Sequence, residues 1–225
     1  MDVTHLEGTE GYSLGQGKVG ALFCHGFTSS PQNMRLLADQ LVEKGIAVRA
    51  PLLPGHGTTW EDLNTKKAED WVGAVDAEFN DFAADHEEVF MVGLSFGAAL
   101  SLDFAVRNPD RVRGIVAIAP FVLTKDPLRV LAPVFGKVLK SFPGVGNDIC
   151  EPGQDELCYD KLSVRAVPHM LKFVARVRGL LPSLRTWSIR CEVDPRHVRN
   201  SDRLRRGLDD IDDVRLGCFP PGCNS

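Results

Sequence analysis

The sequence lacks the features that would tie it to a membrane, a nucleic acid or a metal. Its opening, Met1-Asp2-Val3-Thr4-His5-Leu6-Glu7, has neither a basic start nor an apolar stretch, so no secretory signal is expected. No apolar run approaches the roughly 20 residues that span a bilayer, and stable membrane insertion is not expected. Basic residues never concentrate: 26 Lys and Arg stand against 30 Asp and Glu, a net charge of -4, which speaks against a nucleic-acid partner. The densest group, Arg203-Leu204-Arg205-Arg206, reads as the solvated face of a short helix. The six cysteines form no C-x-x-C pair and have no histidine at zinc spacing. Cys150 and Cys158 are close enough in sequence to bridge in an oxidising compartment, yet a chain this long does not need a disulfide for stability. Reduced thiols and a cytoplasmic location are the expectation. One further scarcity bears on chemistry: no histidine occurs beyond His197.

The content of the chain is that of an ordinary globular α/β domain. Its 225 residues, 44% hydrophobic and 25% charged, suffice for one sizeable core with a small insertion. The organising stretch runs from Val89 to Leu100: an apolar run, then Gly93-Leu94-Ser95-Phe96-Gly97, then apolar residues at helical spacing. This reads as strand, sharp turn and helix. A serine on such a turn lifts its hydroxyl above the C-terminal edge of a sheet, and glycines two residues to either side are what steric crowding there requires.

Strand and helix alternate around this point. Gly11 to Leu14 reads as an edge strand and Lys18 to Cys24 as a buried one, followed by the loop His25-Gly26-Phe27-Thr28. Ser30 stands at an N-cap position before Pro31, and Met34, Leu37 and Leu41 make one apolar stripe of a helix ending at Gly45. Ile46 to Ala50 is the next strand. The turn-rich loop from Pro51 to Trp60 leaves the same sheet edge as Ser95, as a candidate pocket wall. Trp71, Val75, Phe79 and Phe82 place a helix over Ala68 to Asp85, with its aromatics in the core. A helix from the serine turn to Asn108-Pro109 and a strand over Gly114 to Ala119 complete four alternations. The expected fold class is α/β, a mostly parallel, doubly wound sheet.

From about residue 121 to 168 the pattern breaks. Prolines, glycines and one amphipathic segment, with Leu128, Leu131, Phe135, Val138, Leu139 and Phe142 on one face, suggest a small cap over the serine. Alternatively, the segment is an ordinary crossover covering the sheet. Leu171 to Leu181 then reads as a helix, Ser183 to Ile189 as a strand, Arg199 to Leu208 as a helix and Val214 to Phe219 as a strand. The loop Arg190 to Pro195 puts Asp194 at the active edge; alternatively, Asp194-Pro195 is only a turn.

His25-Gly26-Phe27-Thr28, Pro54-Gly55-His56-Gly57, Gly93-Leu94-Ser95-Phe96-Gly97 and Asp194-Pro195 together resemble the bacterial carboxylesterases and monoacylglycerol lipases of the α/β-hydrolase superfamily. The resemblance implies an α/β-hydrolase fold with a small cap insertion. It also implies hydrolysis of a small-molecule ester, a medium-chain acyl ester or a monoacylglycerol, with no metal or organic cofactor. Ser95 is then the nucleophile, and Asp194 the acid that orients the base. The backbone N–H groups of Phe27 and Phe96 are the oxyanion donors, with His25 and Gly26 supporting their loop. The side chain of Phe27 is a candidate lining of the acyl pocket.

In that family the base is a histidine after the last strand, a position near Asn224 in this chain. Three readings stay open: a shortened or frame-shifted product lacking the terminal strand and helix region; His197, three residues after Asp194, serving as base; or a homologue that binds an acyl ligand without turnover. His56, His86 and His169 read as loop, surface and helix residues.

Overall fold

The computed structural model describes residues 5–122, 141–143, 161–163 and 165–191. Six strands form one sheet: β1 (Tyr12–Leu14), β2 (Val19–Cys24), β3 (Ala47–Ala50), β4 (Glu88–Leu94), β5 (Gly114–Ile118) and β8 (Trp187–Cys191), in the order β1-β3-β2-β4-β5-β8. Among the described strands of this sheet only β1 runs antiparallel, pairing Tyr12 with Ala50. The other neighbours are parallel, with Cys24 opposite Gly93 and Leu94 opposite Ile118. The order reverses between β2 and β4, since β3 lies to one side of β2 and β4 to the other. At such a switch point the two exit loops diverge and leave a crevice at the C-terminal edge.

The period-two alternation of β2 divides its residues between two cores. Ala21 and Phe23 join Met34, Ala38, Val48 and Val92 beneath α1 (Arg35–Glu43) on one face. Leu22 and Cys24 face the larger core on the other, built by α3 (Ala68–Ala83), α4 (Phe96–Arg107) and α5 (Ala166–Leu180). Trp71, Val75, Phe79 and Phe82 of α3 are all buried there, as their spacing predicts. α4 is the most enclosed of the described helices, with every residue from Phe96 to Ala105 buried. A short helix, α2 (Trp60–Leu63), capped by Thr59 accepting from Asp62 N–H, closes the loop after β3.

Several boundaries differ from the sequence expectation. Ser30 has extended backbone before Pro31, but its hydroxyl makes no cap; a 3-10 turn over Pro31–Met34 comes first and α1 follows. α5 starts at Ala166 rather than Leu171, with Pro168 in its first turn, where a missing N–H leaves no helical bond unmade. The strand expected over Ser183 to Ile189 is displaced to Trp187–Cys191, because Leu181–Ser183 extends the helix as a 3-10 turn. Phe142, expected on a helix face, falls in strand β6 (Ser141–Pro143), antiparallel to β7 (Lys161–Ser163). The rest of the expected cap, Cys150, Cys158, Asp194, His197 and the helix and strand expected after them lie outside the described residues. Among the described residues no helix is long and apolar enough to cross a membrane.

Candidate active site

Strand β4 ends at Leu94 and α4 begins at Phe96, so the whole reversal falls on Ser95. Its backbone lies at φ 53° and ψ -111°, a conformation that costs a non-glycine residue about 1–3 kcal/mol. Three backbone hydrogen bonds hold it there. Ser95 N–H donates to Ile118 O at 2.9 Å, and Ser95 O accepts from Phe121 N–H at 3.1 Å and Ala98 N–H at 3.2 Å. The end of β5 and the chain leaving it therefore pin the turn. The flanking glycines are steric necessities: a Cβ on Gly97 would collide with the Cys24 carbonyl and come within 2.5 Å of the His25 oxygen, and one on Gly93 would lie 2.5 Å from Ala98 N. Ser95 is half-buried, and its Oγ makes no hydrogen bond among the described residues.

The loop after β2 passes directly beside this serine. A Cβ placed on Gly26 would stand 3.7 Å from Ser95 Cβ. Thr28, at φ 65°, turns the loop, and Ser29 N–H donates back to Gly26 O at 3.3 Å. His25 is fully buried and spends both ring nitrogens on backbone. Nε2 accepts from Leu53 N–H at 3.0 Å, which leaves the proton on Nδ1 to donate to Gly26 O at 2.9 Å. Burial first, and then the nearby His56 ring, push the His25 pKa down to about 3, so the ring is neutral. It ties the loop carrying Phe27 to the loop carrying Leu53. Neither Phe27 N–H nor Phe96 N–H is spent on a hydrogen bond among the described residues. The Phe96 N–H also opens α4, where the helix dipole favours negative charge.

Behind these two amides lies a box of rings. Phe27 meets His56, Trp71 and Phe96 edge to face, with centroids 5.8, 5.7 and 5.6 Å away. Trp71 meets Phe96 at 5.3 Å, and Phe96 meets Phe173 of α5 at 5.8 Å. The Phe27 side chain thus packs inward against the core. The loop from Pro51 to Trp60 is likewise drawn in, with Leu53, His56 and Thr58 buried. Pro54 O accepts from Trp71 Nε1–H at 3.0 Å and from His56 Nδ1–H at 3.2 Å. His56 Nε2 is left buried without a partner, and burial above all lowers the His56 pKa to about 4. His56 is a loop residue as expected, but its ring is interior. His86 sits before β4, at the far end of the strand from Ser95, with Nδ1 on Phe82 O at 2.7 Å; His169 is exposed on α5. None of the histidines among the described residues hydrogen-bonds to Ser95.

Trp71, Pro54 O and Leu53 N–H carry no sequence signal as site residues. Trp71 looks like any apolar position of an amphipathic helix, and backbone groups have no letter of their own.

The family model described as "Serine aminopeptidase, S33" matches residues 18–187, from the first buried strand through the Ser95 turn to the start of β8. The chain belongs to this family. The chain has the α/β-hydrolase fold and is of the esterase and monoacylglycerol-lipase kind. It is 29% identical over 208 residues to a thermostable monoacylglycerol lipase of Bacillus sp. (strain H-257), covering 90% of this chain and 82% of that one. A pimeloyl-[acyl-carrier protein] methyl ester esterase of Aromatoleum aromaticum is 35% identical over 111 residues, 48% of this chain and 40% of that one. A solved structure reported with LipS and LipT, two metagenome-derived lipolytic enzymes, superposes with a TM-score of 0.80 at 32% identity, over 84% of this chain and 77% of that chain.

Proposed function

We propose that this chain is a serine hydrolase that cleaves carboxylic esters, medium-chain acyl esters or monoacylglycerols, through an acyl-enzyme at Ser95. The observation that carries the reading is a half-buried serine on a strained strand-to-helix turn, beside two backbone N–H groups that make no hydrogen bond among the described residues. The relatives named as lipases and esterases favour an ester over a peptide substrate.

A serine hydroxyl is a weak nucleophile at neutral pH, so acyl transfer needs a base for its proton and donors for the oxyanion that forms at the carbonyl. Phe27 N–H and Phe96 N–H are the donors, and an oxyanion-hole donor contributes on the order of 10²–10³ in rate. Asp194 is the acid, in the chain order serine, aspartate, histidine of this fold. His197 is the candidate base nearest to it in sequence. His25 is a supporting residue: its two nitrogens are bonded to backbone. The residues from about 121 to 168 are the cap over the acyl group.

A second reading, an acyl-binding homologue without turnover, draws on His25 and His56, both of which are tied into backbone rather than to Ser95. One experiment separates the two. Intact protein treated with a fluorophosphonate gains the mass of one adduct, and Ser95→Ala gains none; labelling that survives the substitution sinks the assignment of Ser95. Hydrolysis of p-nitrophenyl butyrate that depends on Ser95 excludes the second reading, and saturable binding of a fatty acid without hydrolysis supports it.

A further inference from the structure

Among the aromatic rings of the described residues, the indole of Trp71 meets both Phe27 and Phe96, the residues whose amides would bind the oxyanion. It is fully buried in α3, with Phe27 on one edge and Phe96 on another, and its centroid lies 6.4 Å from that of His56. Its Nε1–H ends on Pro54 O, which also receives the His56 Nδ1–H. One residue before Pro54, Leu53 N–H holds His25 Nε2, and His25 Nδ1–H holds Gly26 O. Three segments therefore converge on this ring: the loop after β2, the loop after β3 and the first turn of α4. From this geometry we infer that Trp71 is a positioning residue for the oxyanion hole, setting the separation of the Phe27 and Phe96 amides through their own rings and through the Pro54 carbonyl.

The physical basis is that neither donor amide is fixed by a hydrogen bond of its own among the described residues. Phe96 N–H is held by the helix that follows it. Phe27 N–H hangs on a short loop anchored by the His25 ring, by the Phe27 ring and by the buried Ser29, whose N–H bonds Gly26 O. Removing the indole N–H frees Pro54 O from one of its two donors and loosens the loop that braces both rings. An oxyanion donor displaced by about 1 Å loses much of its value, since misplacement on that scale costs on the order of 10²-fold in rate.

The inference rests on the assignment of Ser95 as nucleophile, and its test keeps the two apart. Trp71→Phe retains an aromatic ring and loses the donor. Phe79→Leu, on the same helix and equally buried but packed on Phe104, supplies a control for general loss of core. Amide hydrogen exchange and the rate of fluorophosphonate labelling are measured on both variants and on the native protein. The expected result for Trp71→Phe is exchange faster by about tenfold or more at Ser29 and Leu53, whose N–H groups are bonded within this network, with β4 and β5 amides unchanged and labelling slowed by about tenfold or more. Phe79→Leu is expected to leave both the local exchange and the labelling rate near native. Exchange that quickens equally throughout the sheet in Trp71→Phe, or labelling slowed as much by Phe79→Leu, overturns the positioning role. A native protein that takes no label refutes the nucleophile assignment, and the exchange pattern still decides whether Trp71 holds the loop.

Discussion

At the scale of single residues, the neighbouring rings of His25 and His56 make stability depend on pH. Their centroids are 5.0 Å apart in a setting with no room for charge. Both pKa values are lowered from 6.5, to about 3 and about 4, chiefly by burial. Between those values and 6.5 the unfolded chain binds more protons than the folded one, so stability rises with pH in that window. The contribution is complete above about pH 6.5 and is lost as pH falls toward the folded values. Each histidine is expected to remove about 1.4 kcal/mol of unfolding free energy per pH unit. Urea midpoints recorded from pH 7.5 to 5 should show this fall, and His56→Asn should reduce its slope by about half. An unchanged slope in that variant would show that His56 titrates normally in the folded state.

At the scale of an element, the strand-turn-helix built on Ser95 depends on two glycines that play different parts. Gly97 has the Cys24 and His25 carbonyls against it, both backbone atoms of a central strand end that cannot swing aside. Gly97→Ala is expected to lose about 3 kcal/mol in chemical denaturation, with labelling of Ser95 lost as the turn distorts. Gly26 faces open contact distances of 3.6–3.7 Å, so alanine fits the backbone without a clash. Gly26→Ala is expected to change stability by no more than about 1 kcal/mol. Its new methyl nevertheless stands beside Ser95 Cβ, where an acyl carbonyl would have to approach, and the labelling rate should fall while the melting temperature holds. Equal losses in both quantities would show that Gly26 matters only to packing.

At the scale of the whole molecule, α3, α4 and α5 are joined by an ionic junction around one buried carboxylate. Asp103 of α4, wholly enclosed, pairs with Arg107 Nε at 2.8 Å and with Arg176 of α5 at 2.7 Å. Arg107 in turn grips Asp76 of α3 through two bonds of 2.6 and 3.0 Å. Asp103→Asn is expected to cost about 1–3 kcal/mol, read from urea unfolding at constant m value. Arg176→Met, whose parent side chain is about half exposed (49%), should cost under about 1 kcal/mol. A larger effect from Arg176 than from Asp103 would reverse this account of the junction.

Much of this architecture can be read directly along the chain, and the reason differs from feature to feature. The continuous apolar runs of β2, β4 and β5 mark strands covered on both faces, and the 3.6-residue recurrence from Trp71 to Phe82 marks α3. The spacing Gly93, Ser95, Gly97 marks the elbow because the steric demand is local and acts within five residues. The chain's order alone also puts His25-Gly26-Phe27 and Ser95 at one sheet edge, since both follow parallel strands. What tertiary structure alone decides is partnership across long separations. His25 is bonded by Leu53, Trp71 by Pro54, and Asp103 by Arg176, over sequence gaps that no periodicity encodes. The inward turn of Phe27, the neutral state of His25 and His56, and the convergence on Trp71 all follow from which groups exclude water from which others, a property of the packed molecule rather than of any segment.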